Sequence, residues 1–177
     1  MSLVLGPIPC TRAIDLGVIL DATNSVGRKN FVIAKQFVLA LVNSMKIAPG
    51  ASHLGLIVYN IQASIIIRFK ETAKQDPTVI ERILKATTKL RGRTFTDRAL
   101  RKAGEELFTA GAGDRPVKPD VLVVLTDGKT NPKSEPYETA VEPLKVCLLH
   151  DMDRVISEKK KTPLATSAFS VFAILKN

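Results

Sequence analysis

The chain has 177 residues, an apolar fraction of 45% and 26 Lys and Arg against 17 Asp and Glu, a formal charge of +9. That length accommodates one ordinary domain with a continuous core, expected to span 1–177, and the charge sets up a positive field that draws acidic partners and weakens in salt. With no Trp and only two Tyr the stacking platforms used for nucleic acids are missing, and no apolar run approaches the roughly 20 residues that cross a bilayer, so neither nucleic acid binding nor membrane insertion is expected.

Ile14 to Leu20 is an apolar run interrupted by Asp15 and Gly17, short enough for a strand buried on both faces, and Asp21 ends it. From Arg28 to Met45, the residues Phe31, Ala34, Val38, Leu41 and Met45 recur at spacings of three and four, which puts them on one helix face before Pro49-Gly50 breaks the chain. His53 to Tyr59 reads as a second buried strand, and Ser64 to Phe69 follows closely enough to be its antiparallel hairpin partner. Pro77 suits the first turn of a helix running to about Ala86, because its fixed φ is helical and its missing N–H is not needed there. Thr96 is expected to cap the next helix, with Asp97 in its positive first turn and Ala99, Leu100, Ala103 and Leu107 as its apolar stripe. Gly111 to Pro119 is a loop.

Val121 to Leu125, an unbroken aliphatic run, is the clearest central strand and stops at Thr126-Asp127-Gly128. Beyond it the pattern predicts helices over Pro136 to Lys145 and Leu148 to Lys161, then a last strand over Phe169 to Leu175. Strands alternating with amphipathic helices specify an α/β class: a doubly wound, mostly parallel open sheet with one antiparallel edge strand and helices on both faces.

In such sheets ligands bind beyond the carboxyl ends of the strands, where the strand order reverses. Three segments are expected there: Asp21-Ala22-Thr23-Asn24-Ser25, Arg93-Thr94-Phe95-Thr96 and Thr126-Asp127-Gly128. They offer carboxylates and hydroxyls without sulfur or imidazole, a hard donor set suited to Mg²⁺, Mn²⁺ or Ca²⁺ and poor for zinc or copper. The alternation of Asp21, Thr23 and Ser25 lets all three side chains turn to one ion, with water completing the shell. Taken singly, each segment is also what a turn, a cap or a strand end would show; in this order on these elements they are a far more specific signal. Neither Cys10 nor Cys147 stands at zinc spacing with His53 or His150. The topology brings Cys147 toward the edge where Cys10 enters, and a disulfide or two separate thiols both stay open.

From about Ile14 to Val146 the chain resembles the von Willebrand factor type A family, which includes integrin inserted domains. Asp21, Thr23 and Ser25 match the Asp-x-Ser-x-Ser element of its metal-ion-dependent adhesion site, Thr94 its loop threonine, and Asp127 its Thr-Asp-Gly strand end; Thr94 to Leu100 repeats its Thr-x-Thr-x-x-Ala-Leu pattern. The resemblance implies a Rossmann-like fold and a metal set of Asp21, Thr23, Ser25, Thr94 and Asp127 holding Mg²⁺, with Mn²⁺ or Ca²⁺ as alternatives. An Asp or Glu of a protein ligand would complete the shell. It also implies an extracellular adhesion or matrix protein, secreted or an ectodomain, that binds collagen or another matrix protein and catalyses no reaction.

The chain departs from the pattern in places. Thr23 adds a methyl group where serine is usual, and Asp97 stands where many relatives have a small neutral residue; its expected role is to stabilise the helix terminus. Residues 147–177 diverge, and the family's final helix has no counterpart. Arg91, Arg93, Arg98, Arg101 and Lys102 cluster beside the site, placed to steer acidic ligands, sulfated glycans included. The competing reading is a structural or mineral-associated matrix protein engaging polyanions through that basic surface. An enzyme is least expected, since Gly-x-Gly-x-x-Gly, a Walker loop and a Gly-x-Ser-x-Gly elbow are all missing.

Overall fold

The computed structural model describes residues 13–127, 130–140, 146–148 and 170–176. Its strands are β1 (Asp15–Asp21), β2 (His53–Tyr59), β3 (Ala63–Ile67), β4 (Asp120–Thr126), β5 (Val146–Leu148) and β6 (Ser170–Lys176). Its helices are α1 (Gly27–Ser44), α2 (Pro77–Ala86), α3 (Thr96–Lys102) and α4 (Tyr137–Ala140). The strands form one sheet in the order β3-β2-β1-β4-β6-β5.

β1 and β2 are buried at every position, because β1 pairs in parallel with β2 on one side and β4 on the other while helices cover both faces. Alternate residues therefore serve two cores. Leu16, Val18, Leu20, Leu54, Leu56 and Val58 meet Phe31, Ala34, Val38 and Val42 of α1 and Ile80 and Leu84 of α2. On the opposite face Ile19, Ile57, Leu122 and Val124 meet Ala99 and Leu100 of α3, followed by Leu107 and Phe108. Each such aliphatic side chain contributes about 1.5–3 kcal/mol by leaving water, which makes these two layers the main stabilising element. Gly17 and Gly55 are register partners. A Cβ on Gly17 would lie 2.7 Å from Phe108, and one on Gly55 would lie 2.8 Å from Leu107. The paired glycines hollow the sheet so that the segment after α3 can lie directly on it.

β2 and α2 begin and end where the sequence places them, and Asp76 caps α2 by accepting from the Thr78 and Val79 N–H groups. The inner face of α1 is corrected at one position: Val42 is buried where Leu41 was expected, Leu41 is half-buried, and Met45 packs half-buried against the same core as expected. A period of 3.6 residues from Val38 falls between 41 and 42, and the sheet takes the second. Thr96 is no cap. It is the first residue of α3, the cap position is Phe95 without a side-chain bond, and the Thr96 hydroxyl instead lies 2.9 Å from the Tyr59 hydroxyl.

The largest corrections follow β4. Val146–Leu148 is a strand, so no helix starts at Leu148; residues 149–161 of that expected helix, and 141–145 of the one before it, lie outside the described residues. β1, β2, β4 and β5 share one direction, and β3 is the expected antiparallel edge strand. β6 adds a second reversal, running antiparallel between β4 and β5. Among the described residues no helix follows β6. Cys10 lies outside the described residues, and its pairing with Cys147 with it.

Candidate metal centre

The strand order reverses between β1 and β4, with β2 and β3 laid down on one side and β4 on the other. Asp21 ends β1 there. Its register partner is Tyr59, and the Leu20 to Leu125 pairing puts it beside Thr126. The Asp21 side chain is wholly buried, and a buried carboxylate must be hydrogen-bonded to be tolerated. Tyr59 donates its hydroxyl to Oδ2 at 3.0 Å, Thr126 donates to the same oxygen at 2.8 Å, and the Thr23 N–H donates to Oδ1 at 2.9 Å. Three bonds leave about one of a carboxylate's four lone-pair positions. Burial, and then the charge of Asp21, push the Tyr59 phenol far above its ordinary range, so it remains a donor.

The loop that Asp21 anchors brings three hydroxyls into a triangle. Thr23 Oγ1 lies 2.8 Å from Ser25 Oγ and 3.0 Å from Thr94 Oγ1, and Ser25 Oγ lies 3.3 Å from Thr94 Oγ1. Thr23 and Thr94 are buried while Ser25 is exposed, so the triangle has a dry base and one wet corner. Backbone bonds hold the loops in place. The Asn24 N–H reaches the Gly92 carbonyl at 3.4 Å, the Phe95 N–H reaches Asn60 O at 3.2 Å, and the Asn131 N–H reaches Thr94 O at 2.8 Å. Gly92 has φ +124°, which only glycine adopts without strain, and its carbonyl is thereby offered to the Asp21–Ser25 loop.

Asp127 follows Thr126 directly at the carboxyl end of β4 and is half-buried. Asp97, in the first turn of α3 as expected, also reaches across: its Oδ2 accepts from the Glu135 N–H at 3.2 Å. Arg101 grips the Glu135 carboxylate, Nε to Oε2 at 2.6 Å, and that guanidinium holds the carboxyl below its usual range. The segment after β4 is thus fastened to α3 and to the Thr94 loop together.

Octahedral bonds of about 2.0–2.1 Å, as for Mg²⁺, set neighbouring oxygens about 2.8–3.0 Å apart, whereas Ca²⁺ bonds of about 2.3–2.6 Å set them about 3.3–3.7 Å apart. The hydroxyl spacings of 2.8, 3.0 and 3.3 Å are those of oxygens bonded to one another and span both ranges, so the donor set accommodates a hard divalent cation without selecting its size. Sequence reasoning missed Tyr59; its only signal is its place as the last residue of the strand beside β1. A second acidic group, Asp15, Asp114 and Asp120, has carboxylate oxygens within 4.8 Å of one another. It sits at the opposite sheet edge, where Arg115 binds Asp15 through its backbone N–H at 2.9 Å and its guanidinium at 2.6 Å. The basic cluster also divides. Arg101 and Lys102 pair with Glu135 and Glu106, Arg98 donates to Ile61 O and stacks on Phe95 at 4.2 Å, and Arg91 and Arg93 are exposed.

The family model described as von Willebrand factor type A domain matches residues 15–162. The chain is 27% identical over 130 residues to von Willebrand factor of Rattus norvegicus, covering 73% of this chain and 29% of that protein. It is 33% identical over 129 residues to Matrilin-2 of Mus musculus, covering 68% and 13%. It is also 33% identical over 131 residues to von Willebrand factor A domain-containing protein 1 of Mus musculus, covering 74% and 30%. The chain therefore spans less than a third of these relatives' own length. Among solved structures, proximal thread matrix protein 1 from the mussel byssus superimposes with a TM-score of 0.68 at 21% identity, over 77% of this chain and 35% of that one. The same mussel protein with a zinc occupied MIDAS motif gives 0.65 at 20% identity, over 76% and 36%. With strand order, hydroxyl triangle and family match in agreement, the chain belongs to the von Willebrand factor type A family.

Proposed function

We propose that the chain is a metal-dependent adhesion module of an extracellular matrix or cell-adhesion protein. In this reading Asp21, Thr23, Ser25, Thr94 and Asp127 hold a divalent cation, Mg²⁺ first and Mn²⁺ or Ca²⁺ as alternatives, and an Asp or Glu of a protein partner such as collagen completes its shell. The observation that carries the reading is the triangle of hydroxyl oxygens built next to a buried carboxylate that Tyr59, Thr126 and the Thr23 N–H hold in place. When bound, the cation supplies a charged centre that exchanges water for a partner's carboxylate. Tyr59 and Thr126 draw charge from Asp21, and the hydroxyls are neutral, so the donor set leaves such a centre hungry for an outside anion. The module binds and releases; it is no enzyme, and it forms one domain.

An extracellular matrix setting is supported by similar proteins, which include a Collagen alpha-1(VI) chain of Homo sapiens and the mussel thread matrix protein. Among the described residues no helix is long and apolar enough to cross a membrane. The test is calorimetric titration of Mg²⁺ and Mn²⁺ into the chain and its Asp127→Ala variant, followed by a screen of immobilised matrix proteins with and without chelator. Cation binding is expected in the parent chain and lost, by about a hundredfold or more in affinity, in the variant. Matrix binding that survives both chelator and substitution would refute the reading. Release by high salt alone would favour the basic surface as the polyanion-binding element instead.

A further inference from the structure

We infer that the rim of the metal centre is a docking surface for an acidic protein segment, one that carries further carboxylates on either side of the one given to the cation. The inference rests on the metal-dependent reading above and names its partner class.

Each segment that builds the centre also carries exposed cations. Arg28 and Lys29 stand in the first turn of α1, just after Ser25; Arg91 and Arg93 precede Thr94; Arg98 follows it on α3; Lys133 lies beyond Asp127. None of the six forms an ion pair with a described carboxylate, whereas Arg101, Lys102 and Arg115 all do. Acidic side chains are scarce on the same segments. Within 21–36, 87–100 and 127–134 they are Asp21, Asp97 and Asp127, of which the first two are buried and the third is a candidate ligand. The rim is thus cationic on every side, and the protein supplies little to neutralise it.

Folding does not explain this arrangement. Arg28 and Lys29 occupy the positive end of α1, whose first turn holds no acid, so they oppose the helix dipole. An external anion would reverse that penalty. Arginine predominates among the six, and its planar fork matches carboxylates in pairs of hydrogen bonds.

A sulfated polysaccharide would also satisfy the charge, but one apolar feature separates the two. Ile61 is 43% exposed and lies beside Gly92, where an added Cβ would come within 3.0 Å of it. An apolar side chain at the rim offers a peptide residue a contact and offers a sulfated sugar none. In an extended peptide, side chains on one face repeat about every 7 Å, a spacing that long Arg and Lys side chains can follow on both sides of a central aspartate.

The test uses a synthetic peptide with a central Asp flanked by Glu and Leu residues, its analogue with Gln for every Glu, and a heparin-type polysaccharide. Each is titrated in Mn²⁺ and in chelator against the parent chain, an Arg91→Glu/Arg93→Glu variant and a control, Lys46→Glu/Arg82→Glu, changed at exposed residues away from the rim. Mn²⁺ binding alone is measured for all three chains, which separates failure of this inference from failure of the metal reading. The acidic peptide is expected to bind the parent chain about tenfold tighter than the Gln analogue, only in Mn²⁺, with that advantage lost in the rim variant and kept in the control. If Mn²⁺ binds but both peptides bind alike, or the rim variant keeps the advantage, the inference is overturned and the metal reading stands. Tight polysaccharide binding in chelator without peptide discrimination overturns it in favour of a glycan surface. No Mn²⁺ binding by the parent chain overturns both.

Discussion

Asp21 closes β1, anchors the Thr23 turn and takes two hydroxyl donors, all with one carboxylate. Its neighbour Tyr59 is the residue on which this arrangement leans, because the phenol serves Asp21 and Thr96 together. Tyr59→Phe keeps the ring in its core and removes only the donor, so denaturant titration should show a loss of about 1–3 kcal/mol, the usual cost of a buried partner left unpaired. Mn²⁺ affinity should fall by only a few-fold, since Thr126 still donates to Asp21. At this scale the meeting of the Thr23 and Ser25 hydroxyls beside Asp21 was legible in the sequence: the three residues alternate, and alternation in a tight loop brings their side chains to one side. Tyr59 was not legible, because its role depends on the register between β1 and β2, which no local pattern reports.

Among elements, the fit of the segment after α3 onto the sheet depends on the hollow made by Gly17 and Gly55. Gly17→Ala puts a methyl group against Phe108, and overpacking of this kind costs about 1–3 kcal/mol, measurable as a lower midpoint in urea at unchanged slope. The link from Asp97 to the Glu135 N–H has a different consequence. Asp97→Ala should weaken Mn²⁺ binding several-fold by loosening the segment that carries Asp127, and faster hydrogen exchange at Asn131 would mark the loosening. β2, a short apolar run, and α2, with a helical period opened by Pro77, could be read closely. Thr96 could not, because a hydroxyl before a helix looks alike whether it caps the helix or turns inward to Tyr59. Leu148 was read as a helix start and ends β5 instead, because an apolar stretch of three or four residues has too few positions to distinguish a helical from a strand period.

Across the whole molecule the sheet places different chemistry at its two edges. β1 is seven residues long, which separates Asp15 from Asp21 by about 20 Å. At the Asp15 end, Arg115 donates to that carboxylate, to the Ala51 carbonyl at 2.8 Å and to the Ile14 carbonyl at 3.2 Å. Arg115→Met would leave Asp15, which is wholly buried, without its charged partner. Thermal unfolding should then show a loss of about 3–5 kcal/mol, with Mn²⁺ affinity at the far edge unchanged wherever the chain is still folded. The last strand expected over Phe169 to Leu175 is present as Ser170–Lys176, but its antiparallel place between β4 and β5 could not be foreseen, since pairing direction is set by how the chain returns and leaves no mark in composition. The Arg115 hub has an evolutionary corollary. With the guanidinium knot at one pole and the loops of the candidate metal centre at the other, stability and any ligand preference of that centre draw on separate residues. A lineage could retune its partner by exchanging loop side chains while the heat tolerance of the scaffold drifts independently.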